Sequence, residues 1–204
     1  MWMNQYKRIL ALSPHTDDIE FACGATVAKF VSAGVQVMSV AFSAAEESVP
    51  DGLPTDILRR EFGDAHEVLG VPEQDRNILD FKVRYFPRDR QEILEQMIRL
   101  NKTYKPDLVL APSGDDTHQD HKTISDEAFR AFKRTTIWAY EAPCNPQVSR
   151  INCLVRISEE EILVKLNAIA KYVSQKSRPY VSDEFVHSRA RVRGAQMGSK
   201  LAEG

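Results

Sequence analysis

The chain predicts an α/β fold built on a mainly parallel sheet, and three observations carry that expectation. Short apolar runs alternate with helical patterns along the whole of its 204 residues. Several of the runs are continuously apolar, as in strands covered on both faces. Gly34, Gly70 and Pro106 close the helical patterns where glycine and proline are favoured.

The elements follow in order. Arg8 to Leu12 is a first strand, and Ile19 to Ala33 has helical spacing through Phe21, Val27, Phe30 and Val31. Val35 to Phe42 is β-branched and apolar, a buried parallel strand. Ser43 to Pro54 is a polar loop with the turn signal Pro50-Asp51-Gly52. Thr55 or Asp56 caps a helix running to Leu69. Asn77 to Phe81 is a strand, Arg88 to Tyr104 a helix, and Asp107 to Ala111 the next strand. Thr123 to Phe132 is helical, Thr136 to Tyr140 is a strand, and Gln147 to Ile157 is a less regular one. Ser158-Glu159-Glu160-Glu161 opens a helix to Tyr172 with a capping box, and Ser182 to Lys200 forms the last helix. Strands separated by helices at this rhythm imply right-handed βαβ units. No repeat or linker divides the chain, so residues 1–204 are read as one domain.

Composition excludes several classes. A formal net charge of -2 gives no whole-protein field toward nucleic acid or anionic membrane. Arg189, Arg191 and Arg193 read as a solvated helix face. No apolar run approaches the roughly 20 residues that span a bilayer. Residues 1–8 lack an apolar signal core, so secretion is not expected. Cys23, Cys144 and Cys153 are scattered with no C-x-x-C spacing, which disfavours a disulfide framework and fits a reducing cytoplasm. Cys23 reads as a small buried hydrophobe. No heptad pattern or large apolar helix face fixes an oligomeric state.

Two polar segments carry the chemistry: Ser13-Pro14-His15-Thr16-Asp17-Asp18 and Asp116-Thr117-His118-Gln119-Asp120-His121. Each follows a strand at its carboxyl end, where an open α/β sheet binds ligands. His15, Asp18 and His121 supply two imidazoles and a carboxylate, the ligand types of a catalytic zinc site with a position left for water. Such a site lowers the pKa of its water toward about 7. Asp17 is assigned as the general base, and His118 as an imidazolium that stabilises an oxyanion or protonates a leaving amine. Asp120 is expected to hydrogen-bond His118 and raise its pKa. Exchange of Asp17 and Asp18 between these roles stays open on the residues alone. An ionised Asp17 with a protonated His118 implies a bell-shaped pH–rate profile. The bland alternatives are a helix-capping Asp pair and solvated histidines. The matching ligand types at two strand ends favour the functional reading. His66 and His187 read as non-catalytic.

These residues resemble the LmbE/PIG-L-like family of zinc-dependent N-acetylglucosamine deacetylases. Its first motif, roughly His-Pro-Asp-Asp-x-Glu before a glycine-rich helix start, is similar to His15-Thr16-Asp17-Asp18-Ile19-Glu20 followed by Cys23-Gly24-Ala25-Thr26. Its His-x-Asp-His motif is matched by His118-Gln119-Asp120-His121. Weaker matches are Glu61, Ala65, Leu69 and Gly70, then Ser174-Gln175 and Arg193-Gly194, so the similarity covers nearly the whole chain. The resemblance implies a Rossmann-like sheet with helices on both faces, a Zn²⁺ ion (Fe²⁺ being the alternative), and an N-acetylated sugar substrate. It implies His15, Asp18 and His121 as metal ligands, Asp17 as base, and His118 supported by Asp120. Relatives often assemble as homo-oligomers.

The departures bear on substrate. Thr16 replaces the usual proline, and Ala22 and Ala25 stand where glycine is common. Leu58 stands where the family often carries a substrate-contacting arginine, leaving Arg59, Arg60, Arg84 or Arg88 as substitutes. Relatives run on past Glu203-Gly204 into a final strand, so either the chain continues beyond Gly204 or that strand is absent. Loops Ser43 to Pro54 and Ala142 to Arg150 are expected to line the crevice. The rival readings are a hydrolase of another small amide or ester, and a non-catalytic nucleotide- or sugar-binding module. The module is disfavoured by the lack of G-x-G-x-x-G and a P-loop lysine after the first strand.

Overall fold

The computed structural model describes residues 5–145 and 150–204. Strands β1 (Arg8–Ser13), β2 (Gln36–Ala41), β3 (Arg76–Ile78), β4 (Leu108–Pro112) and β5 (Thr136–Tyr140) form a sheet in the order β3-β2-β1-β4-β5. Every pairing in it is parallel. The helices are α1 (Asp18–Ser32), α2 (Ile57–Val68), α3 (Phe86–Tyr104), α4 (Gln119–Ala131), α5 (Glu159–Ile169) and α6 (Asp183–Gln196). β6 (Val155–Arg156) and β7 (Ala202–Glu203) make a separate antiparallel pair.

Alternation along the central strands explains the two helical layers. Ile9 and Ala11 pack with Val27 and Phe30 of α1, Ala65 of α2 and Ile169 of α5. Leu10 and Leu12 pack on the other face with Ile93 and Met97 of α3 and Ile124 of α4. The helices therefore lie on both faces of a Rossmann-like sheet, as expected. The chain runs outward one way through β1, β2 and β3 and the other way through β4 and β5. The strand order reverses between β1 and β4, and the crevice opens at that switch point. Among the described residues, no helix is long and apolar enough to cross a membrane.

Several expectations need correction. The strand read over Gln147 to Ile157 reduces to Val155–Arg156, because its partner is the two-residue β7 rather than the main sheet; residues 146–149 lie outside the described residues. Ala202–Glu203, which the sequence reading left without an element, form β7. Helix α4 begins at Gln119, four residues ahead of Thr123, because the His118 ring accepts the Asp120 backbone N–H at 3.1 Å. Imidazole is not among the usual capping side chains, which hid this start. Asp56 occupies the N-cap position of α2, but its carboxylate turns to Arg60 at 2.9 Å instead of capping. The capping box of α5 is as read: Glu161 accepts from the Ser158 backbone N–H at 2.7 Å, and Ser158 Oγ accepts from the Glu161 backbone N–H at 3.3 Å. Arg189 and Arg193 are not a solvated face. Both reach the buried Glu141 at the end of β5, at 2.8 and 2.6 Å.

The C-terminal residues lock onto the helix that carries the first polar segment. α1 is interrupted at Cys23 (φ -132°, ψ 28°). Glu203 Oε2 accepts from Thr26 N and Thr26 Oγ1, both at 2.7 Å, so it caps the helix beyond the break. Lys165 closes this buried contact at 2.6 Å from Glu203 Oε1. Cys23 packs in the apolar core there, with burial raising its thiol pKa. The return of the chain over α6 depends on Gly194, where a Cβ would lie 2.6 Å from Lys200 O and 2.7 Å from Leu201 N. Backbone atoms cannot yield as a flexible side chain does. Gly194→Ala is expected to cost about 1–3 kcal/mol of stability, read from the midpoint of urea unfolding.

Candidate metal centre and crevice

The two polar segments meet because β1 and β4 are neighbours, paired Ile9 to Leu108, Leu10 to Val109 and Ala11 to Leu110. The loop after β1 turns into α1 at Asp17, and the loop after β4 turns into α4 at His118. Asp18 lies between the two metal-ligand candidates from these loops. Its Oδ1 is 3.2 Å from His121 Nε2, and its Oδ2 is 3.5 Å from His15 Nδ1. Neighbouring ligand atoms around a tetrahedral zinc with bonds near 2.0–2.1 Å stand roughly 3.3 Å apart. The spacing fits.

The remaining nitrogens are already engaged. His15 Nε2 lies 3.1 Å from Asp120 Oδ2, and His121 Nδ1 lies 2.8 Å from Asp116 Oδ2. With those nitrogens as donors, the nitrogen that each ring turns toward Asp18 is the one a metal would take once its proton has left, the carboxylate–histidine arrangement that orients metal ligands. Asp18 Oδ2 also accepts the His15 backbone N–H at 2.7 Å. A second set of donors, His15, His118 and Asp120, also converges within 4.8 Å. It fits less well: Asp120 Oδ2 is taken by His15 Nε2 and by the Arg84 backbone N–H at 2.7 Å, and His118 Nδ1 is taken by the helix cap.

Two expectations change here. The Asp120 carboxylate supports His15, not His118; its own backbone N–H is what touches the His118 ring. The imidazolium expected at His118 is disfavoured by its surroundings. Burial, and then the charges of His15 and His121, lower its pKa. Protonating Nδ1 would also break the cap of α4, so the neutral ring carries its proton on Nε2.

The carboxylates separate sharply. Burial, followed by the adjacent Asp18 charge, pushes Asp17 up to about 7. Burial opposes ionisation of Asp18 too, but His121 and His15 outweigh it and hold its pKa well below the usual range. Burial disfavours charge on His15, yet hydrogen bonds to Asp120 and Asp18 raise it to about 9. His121 goes to about 10 for the same reason, through Asp18 and Asp116. This is a pocket rich in carboxylate that attracts positive charge, as protons or as a cation.

The crevice above these residues is a cavity of about 440 Å³. All of His15, Asp17, Asp18, His118 and His121 line it, while Asp120 lies buried beneath. Both anticipated loops contribute, through Ala45 and Ser48 and through Ala142 to Asn145. Leu58 lines the wall at the position of the family arginine. Of the proposed substitutes only Arg84 does so; Arg59 pairs with Glu46 and Asp80, Arg60 with Asp56, and Arg88 with Asp89. Reading the sequence missed Asp116, Gln175, Arg178 and Tyr180. Asp116 had a visible signal, an acidic residue opening the second segment. Gln175 had the weak Ser174-Gln175 match, while Arg178 and Tyr180 carry none, because the stretch after α5 is short and irregular. His66 and His187 lie outside the crevice: His66 is buried 2.8 Å from Glu20, and His187 pairs with Asp183 at the surface.

The PIG-L family, described as GlcNAc-PI de-N-acetylase, matches residues 10–132, a span holding both polar segments. The uncharacterized deacetylase YaiS of Escherichia coli K12 is 27% identical over 175 residues, covering 84% of this chain and 93% of that protein. The diacetylchitobiose deacetylase of Thermococcus kodakarensis is 25% identical over 225 residues, covering 98% and 83%. Among solved structures, the N,N'-diacetylchitobiose deacetylase of Pyrococcus horikoshii superposes with a TM-score of 0.81 at 22% identity, covering 99% of this chain and 84% of that one. Its likeness shows the shared fold. By the extent of the family match, this chain belongs to the PIG-L family.

Proposed function

We propose that the protein hydrolyses the N-acetyl group of an N-acetylglucosamine-type sugar or sugar conjugate, with zinc held by His15, Asp18 and His121. The observation that carries this reading is the convergence of both polar segments on Asp18, with Asp17 beside it at a raised pKa. Family membership and deacetylase relatives support the reaction class. Imidazole and carboxylate donors suit zinc, though ligand type alone also admits Fe²⁺.

Bound there, the ion supplies Lewis acidity toward the acyl oxygen and toward water. The residues do the rest. Asp17, ionised above about 7, takes a proton from the attacking water as its oxygen bonds to the acyl carbon. His118 donates from Nε2 to the oxygen that gains charge. The Asp17 carboxyl then delivers its proton to the sugar nitrogen as the C–N bond breaks, leaving a free amine and acetic acid, whose proton passes to the amine or to solvent to give acetate. A neutral histidine at a helix N-terminus suits such a donor, because the helix dipole disfavours its cationic form. The amide or ester hydrolase and the non-catalytic module draw no specific support from these residues.

Asp17→Asn is expected to lower turnover by about 10²- to 10⁴-fold with zinc content unchanged, as read by amine release and elemental analysis. Full activity in that variant would remove Asp17 from the base role. His121→Ala should lose zinc outright. Asp116→Ala, which removes the carboxylate behind His121 together with its bonds from His118 N and Asn145 Nδ2, should weaken zinc binding by about 10- to 100-fold in competition with a chromophoric chelator.

The pH dependence has a definite sign. Asp17 works as its anion, so kcat/KM should rise with pH through a value near 7 and then level off. Since His118 acts as a neutral donor, no falling limb from its deprotonation is expected, in place of the bell shape inferred from sequence. At pH 7 the metal-free protein holds protons on His15 and His121, and zinc uptake should release them. Potentiometric titration with zinc in weak buffer checks this, and a release of no protons would contradict it.

A further inference from the structure

Two arginines line the crevice without a carboxylate to neutralise them. Arg84 stands on the segment between β3 and α3, and Arg178 on the segment between α5 and α6. Other basic side chains around Arg84 are paired: Lys82 with Glu47, Arg88 with Asp89, Arg90 with Glu127, and Arg59 with Glu46 and Asp80. Arg84 reaches only a neutral hydroxyl, Ser48 Oγ, at 3.0 Å. Among the described residues no side-chain partner is found for the Arg178 guanidinium, and residues 146–149 (Pro-Gln-Val-Ser) hold no acid that would serve either arginine.

The backbone at Arg84 adds an independent observation. Its φ is +70°, in the left-handed region where glycine or asparagine is usual. The conformation is held from both sides. Its N–H donates to Asp120 Oδ2 at 2.7 Å, and its carbonyl accepts from Gln119 Nε2. Asp120 is also the partner of His15, so the arginine is anchored to the residues that orient the metal ligand. The two bonds fix where the Arg84 backbone stands at the crevice, and a non-glycine residue held in this region beside a site is a pointer to function.

We infer that Arg84 and Arg178 bind an anionic group of the substrate, a phosphate or carboxylate attached to the N-acetylated sugar. The inference rests on the deacetylase reading for the sugar, and it names the part of the substrate that this reading leaves open. Guanidinium suits oxyanions through paired N–H donors. The same crevice has Leu58 in place of the family's substrate-contacting arginine, so its guanidinium groups come from other segments. Phe21 and Tyr180, in edge contact at 5.5 Å, contribute an apolar wall beside Arg178.

The test compares binding of matched sugars to the full zinc-loaded chain by calorimetry. The probes are N-acetylglucosamine, its 1-phosphate, a nucleoside-diphosphate-linked form, and an N-acetylglucosamine–uronate disaccharide. At least one anionic probe should bind about tenfold or more tightly than the neutral sugar at low salt, with the advantage shrinking as salt is raised. Which probe gains identifies the oxyanion. Arg84→Gln and Arg178→Gln should each reduce the anionic-to-neutral ratio several-fold, while Arg88→Gln, which lies outside the crevice, should retain it. Equal affinity for the neutral sugar and every anionic probe overturns the inference, as does a ratio untouched by both arginine variants. Amine release is followed separately with the same four sugars. Its absence from all of them would sink the deacetylase reading and leave the binding ratio to judge the arginines.

Discussion

The site depends on one constraint: ionisable side chains buried together must balance one another's charge. Asp116, Asp120 and His121 are buried, and Asp18 is nearly so. A carboxylate removed from water without a partner costs several kcal/mol. Here each of Asp18, Asp116 and Asp120 faces an imidazole, and the backbone N–H groups of His15, Arg84 and His118 supply further donors. Balance of this kind needs cations on the imidazoles or a metal between them. The burial that makes the site expensive also makes it selective for positive charge.

A second layer of contacts holds the loops that carry those side chains. Tyr172, just beyond α5, lies 2.5 Å from Thr16 O and 3.1 Å from Glu20 Oε1, and Glu20 faces His66. The first-motif glutamate therefore acts behind the site, tying the loop after β1 to the helical layer. With this tether Thr16 holds the turn where relatives use proline. Glu61 accepts from the Ser174 backbone N–H at 2.9 Å and from its hydroxyl at 2.5 Å. That contact fixes the segment that delivers Gln175, Arg178 and Tyr180 to the crevice. The weaker matches near Glu61 and Ser174 thus have a shared structural cause, since the two residues are bonded to each other.

The sheet and the meeting of the two polar segments were legible because they rest on short-range signals. Continuous apolar runs, helix-closing glycines and two clusters of imidazole and carboxylate at strand ends need no knowledge of distant packing. What escaped was set by contacts across the fold. Asp120 was read beside its sequence neighbour His118, yet its carboxylate turns toward His15, 105 residues away. The start of α4 was hidden because a histidine caps it. β6 was overextended because, among the described residues, it pairs with a two-residue strand at the end of the sequence and not with the main sheet. Arg189 and Arg193 looked solvated because helical spacing does not disclose a buried glutamate arriving from β5.

Asp17 and Asp18 show why sequence adjacency need not mean shared chemistry. One is the N-cap of α1 and the other its first helical residue, so their side chains leave the backbone in different directions. Asp18 is sent between two imidazoles, where ionisation is favoured despite burial. Asp17 is left with burial and with the charge of Asp18 itself, and both favour its protonated form. The stronger the clamp of imidazoles on Asp18, the more firmly that neighbour stays anionic, and the higher the Asp17 pKa is held. A carboxylate kept ionised and a neighbour able to take and return a proton near neutral pH, the properties the proposed roles require, are therefore produced by the same arrangement. Swapping their roles would require the loop after β1 to turn into α1 one residue earlier, which would move Asp17 to the face now occupied by Asp18 and break the hydrogen bond from His15 N–H to Asp18 Oδ2.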